Sequence, residues 1–416
     1  MTILGDILST LFERSATEYP YSQKHDGSVE KLCHALLTQQ GEVLGISIAG
    51  KILAAYDQLN DIKKVKFFQF LLIKMDIDID GVQNALTLYQ NNRSTKYLTN
   101  YLKVSETKRR ELLRRLNQGV SSTSRLVSMR KDLIRLAIEN PELKRVDLDF
   151  QQLFRSWFNN GFLVLRPISW ASPAGILEKI IAYEAVHAID SWEELRRRLE
   201  PADRRCFAFF HPAMLDEPLI FVEVALMENI PVSIQTVLAE SRDIISAQKA
   251  KTAVFYSISN CQKGLSGVSF GNALIKKVVA QLSQEIPNLK KFVTISPIPK
   301  LAFWAKKNGH DLSEFSNYEL LKITAKYLLE EKDKNNIVFD PVAKFHLNNG
   351  AYIHAIHTNA DTSPRGLKQS FGTMVNYVYD LRSVSQNHEQ FAINGQIVSS
   401  KAVKVLAKSK RKKERT

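Results

Sequence analysis

Two textures of apolar and polar positions divide the chain. From residue 1 to about 145, apolar side chains recur at intervals of three and four, the period of helices that bury one face. In "TSRLVSMRKDLIRLAIENPEL", Leu126, Met129, Leu133 and Leu136 fall on one stripe. Ser and Thr stand at its start and Pro141 at its end, which predicts a capped helix that stops before the proline. "ETKRRELLRRLNQG" predicts another, closed by Gly119. Its arginines read as a solvated face in preference to an RNA surface.

From about residue 146 the pattern changes. "CFAFFHP", "PLIFVEVAL", "TAVFYSIS" and "KFVTISPI" are short runs rich in Phe, Val and Ile and predict strands. Gly267 to Glu285 predicts a helix joining the last two. Such a crossover is right-handed and makes its strands parallel. The strand ends near Ser259 and Ser296 are then expected on one edge of the sheet, where α/β proteins commonly bind ligands.

Composition adds limits. A chain of 416 residues exceeds the usual size of one core, so two domains are expected. Every long apolar stretch is broken by charge, as in "PLIFVEVALMENIPVSI", and none approaches the roughly 20 apolar residues of a membrane span. Asp6, Glu13 and Glu18 argue against a secretory signal or an acid-poor transit peptide. Cys33, Cys206 and Cys261 are an odd number without metal-ligand spacing, which suits a reducing compartment. A cytoplasmic location is the expectation. The net charge of +14 suggests nucleic acid until its distribution is considered. From Lys401 to Thr416 there are eight Lys or Arg and one Glu, a net +7, so half the excess lies in one basic tail. A solvated tail is the plainer reading, and nucleic acid is not an expected partner.

"YSISNCQKGLSGVSFGNALIKKVV" carries Gly264, Gly267 and Gly271 at the strand-to-helix junction. Glycines cost about 1 kcal/mol against alanine inside a helix, so this turn needs a special backbone angle or a close visitor. The usual visitor at a helix start is a phosphate. The segment lacks the Gly-Lys-Ser/Thr ending of a P-loop and the spacing of a dinucleotide fingerprint. Strand, glycine-rich turn, helix, strand is also the coenzyme-binding core of the GNAT acyl-CoA superfamily, in which the pantetheine arm runs between two splayed strands. Cys261 reads as a small residue tolerated near a ligand, because nothing in the sequence would make its thiolate.

Four blocks in order decide among these readings. They are "WFNNGFLVLRPISWASPAGILEKIIAYEAVHAIDSWEELRRRL", "KGLSGVSFGNALIKKVV", "TISPIPKLAFW" and "DPVAKFHLNNGA", and together they closely resemble the malonyl-CoA decarboxylase family. The resemblance implies an α+β multidomain chain: an all-helical N-terminal domain (1–145) used for self-association, an α/β GNAT-like acyl-CoA domain (146–400), then the basic tail (401–416). It implies a carboxy-lyase that converts malonyl-CoA to acetyl-CoA and carbon dioxide as a homo-oligomer. It places the coenzyme on the turn Ser266, Gly267, Val268, Ser269, Phe270, Gly271 and Asn272. Ser296 of "SPIP" is to engage the malonyl group, and His346 of "FHLNNGA" is to donate the proton.

The chemistry suits those residue types. Losing carbon dioxide from a malonyl thioester leaves an enolate, whose oxygen needs stabilising and whose carbon needs a proton. A hydroxyl and an imidazole meet both needs. No cofactor is expected, because coenzyme A is part of the substrate and the thioester accepts the charge. No metal is expected either: His354 and His357, three apart in a strand, would point to opposite faces. A protonated histidine donor would lose turnover as pH rises. His187 and His211 read as packing residues or as supports behind the site, and Tyr377 as core or pocket lining. The alternatives are a GNAT-type acyl-CoA N-acyltransferase and a basic nucleic-acid or regulatory protein that retains a coenzyme A site.

Overall fold

Among the described residues, helices alone build the chain up to Trp157. The computed structural model describes residues 28–39, 41–119, 121–268, 273–334 and 336–408. Asp6, Glu13, Glu18, Ser269 to Asn272 and the tail from 409 on lie outside them. No helix among the described residues is long and apolar enough to cross a membrane. The chain divides into two compact units.

The first unit takes the described residues up to Phe162, with His211–Leu215 and the described part of 262–269. Its α-helices are Val29–Thr38, Glu42–Asp57, Asp61–Ile73, Ile79–Asn91, Thr95–Val104, Lys108–Leu116, Ser122–Leu136 and Lys144–Trp157. Asn60, Asp78 and Thr107 each accept a backbone N–H of the first turn that follows, satisfying donors a helix start leaves unpaired. Leu126, Met129, Leu133 and Leu136 are all buried, as their spacing predicts.

Two local readings change. The helix of "ETKRRELLRRLNQG" ends at Leu116, because the Asn117 N–H takes up the last-turn carbonyls and Asn117 Oδ1 accepts from Thr123 Oγ1 at 2.8 Å. Gly119 is not its cap. Nor are its arginines a free face. Arg109 is buried and donates to Asp76 at 2.8 Å and to Asp149, Arg110 donates to Asp149 at 2.9 Å, and Arg115 donates to the carbonyls of Leu36 and Gln39. Deleting Asp149 would leave the buried Arg109 guanidinium with Asp76 as its one carboxylate partner.

The second unit is built on a mixed sheet. Its strands are β1 (Val164–Ile168), β2 (Arg204–Phe210), β3 (Ile220–Met227), β4 (Thr252–Asn260), β5 (Lys291–Thr294), β6 (Ser296–Pro297), β7 (Tyr352–His357) and β8 (Met374–Val378). The order is β1-β2-β3-β4-β5-β8-β6, with β7 also on β8. β4 and β5 pair parallel, joined by the helix Ala273–Glu285, which is the crossover the pattern predicts. The other pairs are antiparallel. A helical region followed by a mixed-sheet domain is thus the fold. Ile176, Ile180 and Leu195 pack against Cys206, Ala208 and Phe221 in one core, and Val254, Tyr256, Val293, Ile295 and Met374 form another.

Candidate active site

The central parallel pair comes apart where its chemistry begins. β4 and β5 are in register from Thr252 with Lys291 to Phe255 with Thr294, and the Ile295 N–H still donates to Phe255 O at 3.2 Å. Beyond that the chain turns to β8, with Ser296 opposite Val375 and Pro297 opposite Met374. Pro297 and Pro299 have no N–H with which to continue a ladder. β4 itself carries a bulge there: Val224 faces Phe255 while Glu223 faces Ser257, leaving Tyr256 the extra residue. Ser296 therefore stands at the parting of two strands.

His346 arrives from a short helix, Pro341–Asn348. Asp340 caps it, accepting the N–H of Val342 at 2.9 Å and of Ala343 at 3.0 Å, and Pro341 fits the first helical position because no partner is needed there. In the last turn, the imidazole brings Nε2 to 3.0 Å from Ser296 Oγ and Nδ1 to 2.8 Å from Tyr379 Oη. Its ring stacks on Tyr377 at 4.5 Å between centroids, with 25° between planes. Ser296, His346, Tyr377 and Tyr379 are all buried.

Proton counting fixes the tautomer. Ser296 has one hydroxyl proton and gives it to Thr294 Oγ1 at 2.8 Å. His346 must then donate Nε2–H to Ser296, and its Nδ1 must accept from the Tyr379 hydroxyl. Thr294 Oγ1 also accepts the Tyr377 N–H at 3.2 Å, which ties β8 to the same hydroxyl. The chain of donors runs Tyr379, His346, Ser296, Thr294.

Burial sets the charges. Desolvation lowers the His346 pKa from 6.5 to about 3, so its resting form at neutral pH is the neutral imidazole. That revises the expectation of a resting imidazolium donor. Desolvation also pushes the phenols of Tyr377 and Tyr379 well above their ordinary value, so both keep their protons. His357 Nε2 lies 2.5 Å from Asn376 Oδ1, whose amide donates to Thr294 O at 2.9 Å. Among the described residues no three His, Cys, Asp or Glu side chains gather as a metal site.

The glycine-rich turn belongs to the first unit, and its glycines serve different ends. A Cβ on Gly264 would lie 1.9 Å from the Val127 carbonyl oxygen. Beside it, buried Arg130 donates to Gly264 O at 2.7 Å and to Asp147 at 2.6 Å. The visitor Gly264 admits is thus a helix backbone. Gly267 has φ +75° with open space where a Cβ would be, so its requirement is the backbone angle. Ser266 and Gly267 are exposed and Val268 is buried, while Ser269, Phe270, Gly271 and Asn272 lie outside the described residues. Cys261 is core, and burial pushes its thiol far from the thiolate. His187 is half-buried, with desolvation lowering its pKa to about 4, and His211 Nε2 pairs with Trp157 O at 3.0 Å.

Tyr379 and Thr294 are the site residues that sequence reasoning missed. Both lie two positions from a residue it had named, Tyr377 and Ser296, and so share a face with it along extended backbone.

Two family profiles match the chain: the malonyl-CoA decarboxylase N-terminal domain over residues 76–158, and the C-terminal domain over 161–316 and 307–416. A crystal structure of malonyl-CoA decarboxylase from Agrobacterium vitis is 45% identical, covering 92% of this chain and 100% of that one, with a TM-score of 0.85. One from Rhodopseudomonas palustris is 42% identical, covering 90% and 98%, also at 0.85. The mitochondrial malonyl-CoA decarboxylase of Anser anser anser is 36% identical over 67% of this chain, and the chain spans 65% of the length of that relative.

Proposed function

Because this chain belongs to the malonyl-CoA decarboxylase family, we propose that it converts malonyl-CoA to acetyl-CoA and carbon dioxide, with Ser296 and His346 performing the chemistry. The observation that carries this reading is the 3.0 Å contact of Ser296 Oγ with His346 Nε2 at the parting of β4 and β5. The bond between the malonyl methylene and its carboxylate breaks, and the electron pair passes into the thioester as an enolate. Ser296 engages the malonyl group beside the departing carboxylate. His346 then gives its Nε2 proton to the nascent methyl carbon and recovers one from water. One proton is consumed per carbon dioxide released. The thioester is the electron sink, so this route draws on no further cofactor.

The turn Ser266–Asn272 is proposed to hold the coenzyme end of the substrate, a role that suits the exposed backbone at Gly267. Self-association through the helical part is supported by apolar side chains it leaves exposed, among them Ile62, Ile73, Ile79 and Ile138. A cytoplasmic location fits three buried cysteines without disulfides.

The test is carbon dioxide release from malonyl-CoA by the purified chain, with no amine acceptor present. The proposal expects stoichiometric acetyl-CoA. Malonyl or acetyl transfer that occurs only when an amine is added would replace it with an acyltransferase.

A further inference from the structure

Asp340 does more than a helix cap requires. Capping uses its Oδ1, which accepts the N–H groups of Val342 and Ala343. Its Oδ2 accepts the Tyr327 hydroxyl at 3.1 Å, and the backbone N–H of Lys300 faces the same carboxylate. Ser or Asn would cap the helix as well. Only a carboxylate offers acceptor sites to three donors while also facing a fourth N–H.

Two of the elements that supply these groups adjoin or carry the reacting pair. Lys300 closes the short segment after Ser296 and precedes the helix Leu301–Lys307, while Asp340 opens the helix that ends with His346. Tyr327 is itself held, with Trp304 at 4.9 Å and Phe339 at 6.2 Å between ring centroids. Asp340 is 1% exposed, and burial raises its carboxyl pKa against the pull of these hydrogen bonds. The link between the Ser296 segment and the His346 helix is therefore buried.

We propose that Asp340 is a positioning residue for decarboxylation, a clip that sets the Ser296 segment and the His346 helix at the separation their hydrogen bond requires. The inference rests on the function proposed above.

Two variants separate the clip from the cap. Asp340→Asn retains an acceptor for Val342 and Ala343 but turns an amide donor toward Tyr327 and Lys300. Tyr327→Phe leaves the carboxylate whole and removes one anchor. With active enzyme quantified, kcat on malonyl-CoA is expected to fall about 10- to 100-fold in Asp340→Asn and several-fold in Tyr327→Phe, with KM within about twofold of wild type. Wild-type kcat in Tyr327→Phe or in folded Asp340→Asn, or KM rising in step with the loss, would overturn the clip. A wild-type enzyme that releases no carbon dioxide would instead defeat the functional reading. Independently of turnover, the His346 ring-nitrogen resonances of 15N-histidine-labelled protein, assigned by difference from His346→Asn, should move in both variants. Unmoved resonances would overturn the positioning role.

Discussion

The phenol of Tyr379 holds Nδ1 of His346 at 2.8 Å while the other ring nitrogen faces Ser296 at 3.0 Å. One side chain thus decides which nitrogen of His346 carries its proton, the one that the proposed mechanism passes to the substrate. Tyr379→Phe removes the donor and leaves Nδ1 buried without it. The expected result is a fall in kcat of about 10- to 100-fold with little change in KM, read by steady-state kinetics. Unchanged kcat would show that the tautomer is held by something else.

The pH profile follows from the neutral imidazole. With its pKa lowered to about 3 by burial, His346 stays in the competent neutral form as pH rises. Were the imidazolium required, kcat/KM would fall about tenfold per pH unit throughout the neutral range, above that value. The profile between about pH 5 and 8 should therefore carry no such continuous decline.

Stability should report the same shift. A histidine whose folded pKa lies below its unfolded value of 6.5 contributes stability that is complete above 6.5 and lost as pH falls toward about 3. His187, lowered to about 4, acts in the same direction, while buried Glu223, raised to about 8, opposes both. Comparing wild type with His346→Asn removes the other two. Between pH 6.5 and 4 the wild type should lose stability faster than the variant in denaturant titrations, and parallel curves would mean that His346 is not buried neutral.

The two turn glycines should fail differently. Gly264→Ala drives a methyl into the Val127 carbonyl and should cost about 3 kcal/mol of unfolding free energy. Gly267→Ala meets open space but must hold φ +75°, a strain of about 1–2 kcal/mol, and should also weaken binding of malonyl-CoA and acetyl-CoA alike. Equal costs for the two would contradict these separate roles.

What was legible in the sequence was local or repeated. The four strand runs and the crossover helix showed as period changes, and the parallel pairing followed from the handedness of that connection. The helix of Leu126 to Leu136 showed as one stripe. Ser296 and His346 stand 50 residues apart, and resemblance joined them where periodicity could not. Tyr379 was hidden because "YVYD" is what any buried strand end looks like; only the arrival of His346 turns its hydroxyl into a partner. Gly264 was misread for the same reason, since the backbone that crowds it lies 137 positions earlier, at Val127. Arg109, Arg110 and Arg115 looked solvated because acceptors such as Leu36, Asp76 and Asp149 lie far from them along the chain.

The central claim is that His346 delivers the proton that makes the methyl group, and the most direct measurement is turnover of malonyl-CoA in deuterated water, with mass analysis of the acetyl-CoA formed. Wild type should place one deuterium in each acetyl methyl group. His346→Asn should lose turnover by about 100- to 10,000-fold, and Ser296→Ala added to it should cost little more if the two side chains act as a unit. Carbon dioxide release and deuterium incorporation at the wild-type rate in His346→Asn would contradict the account.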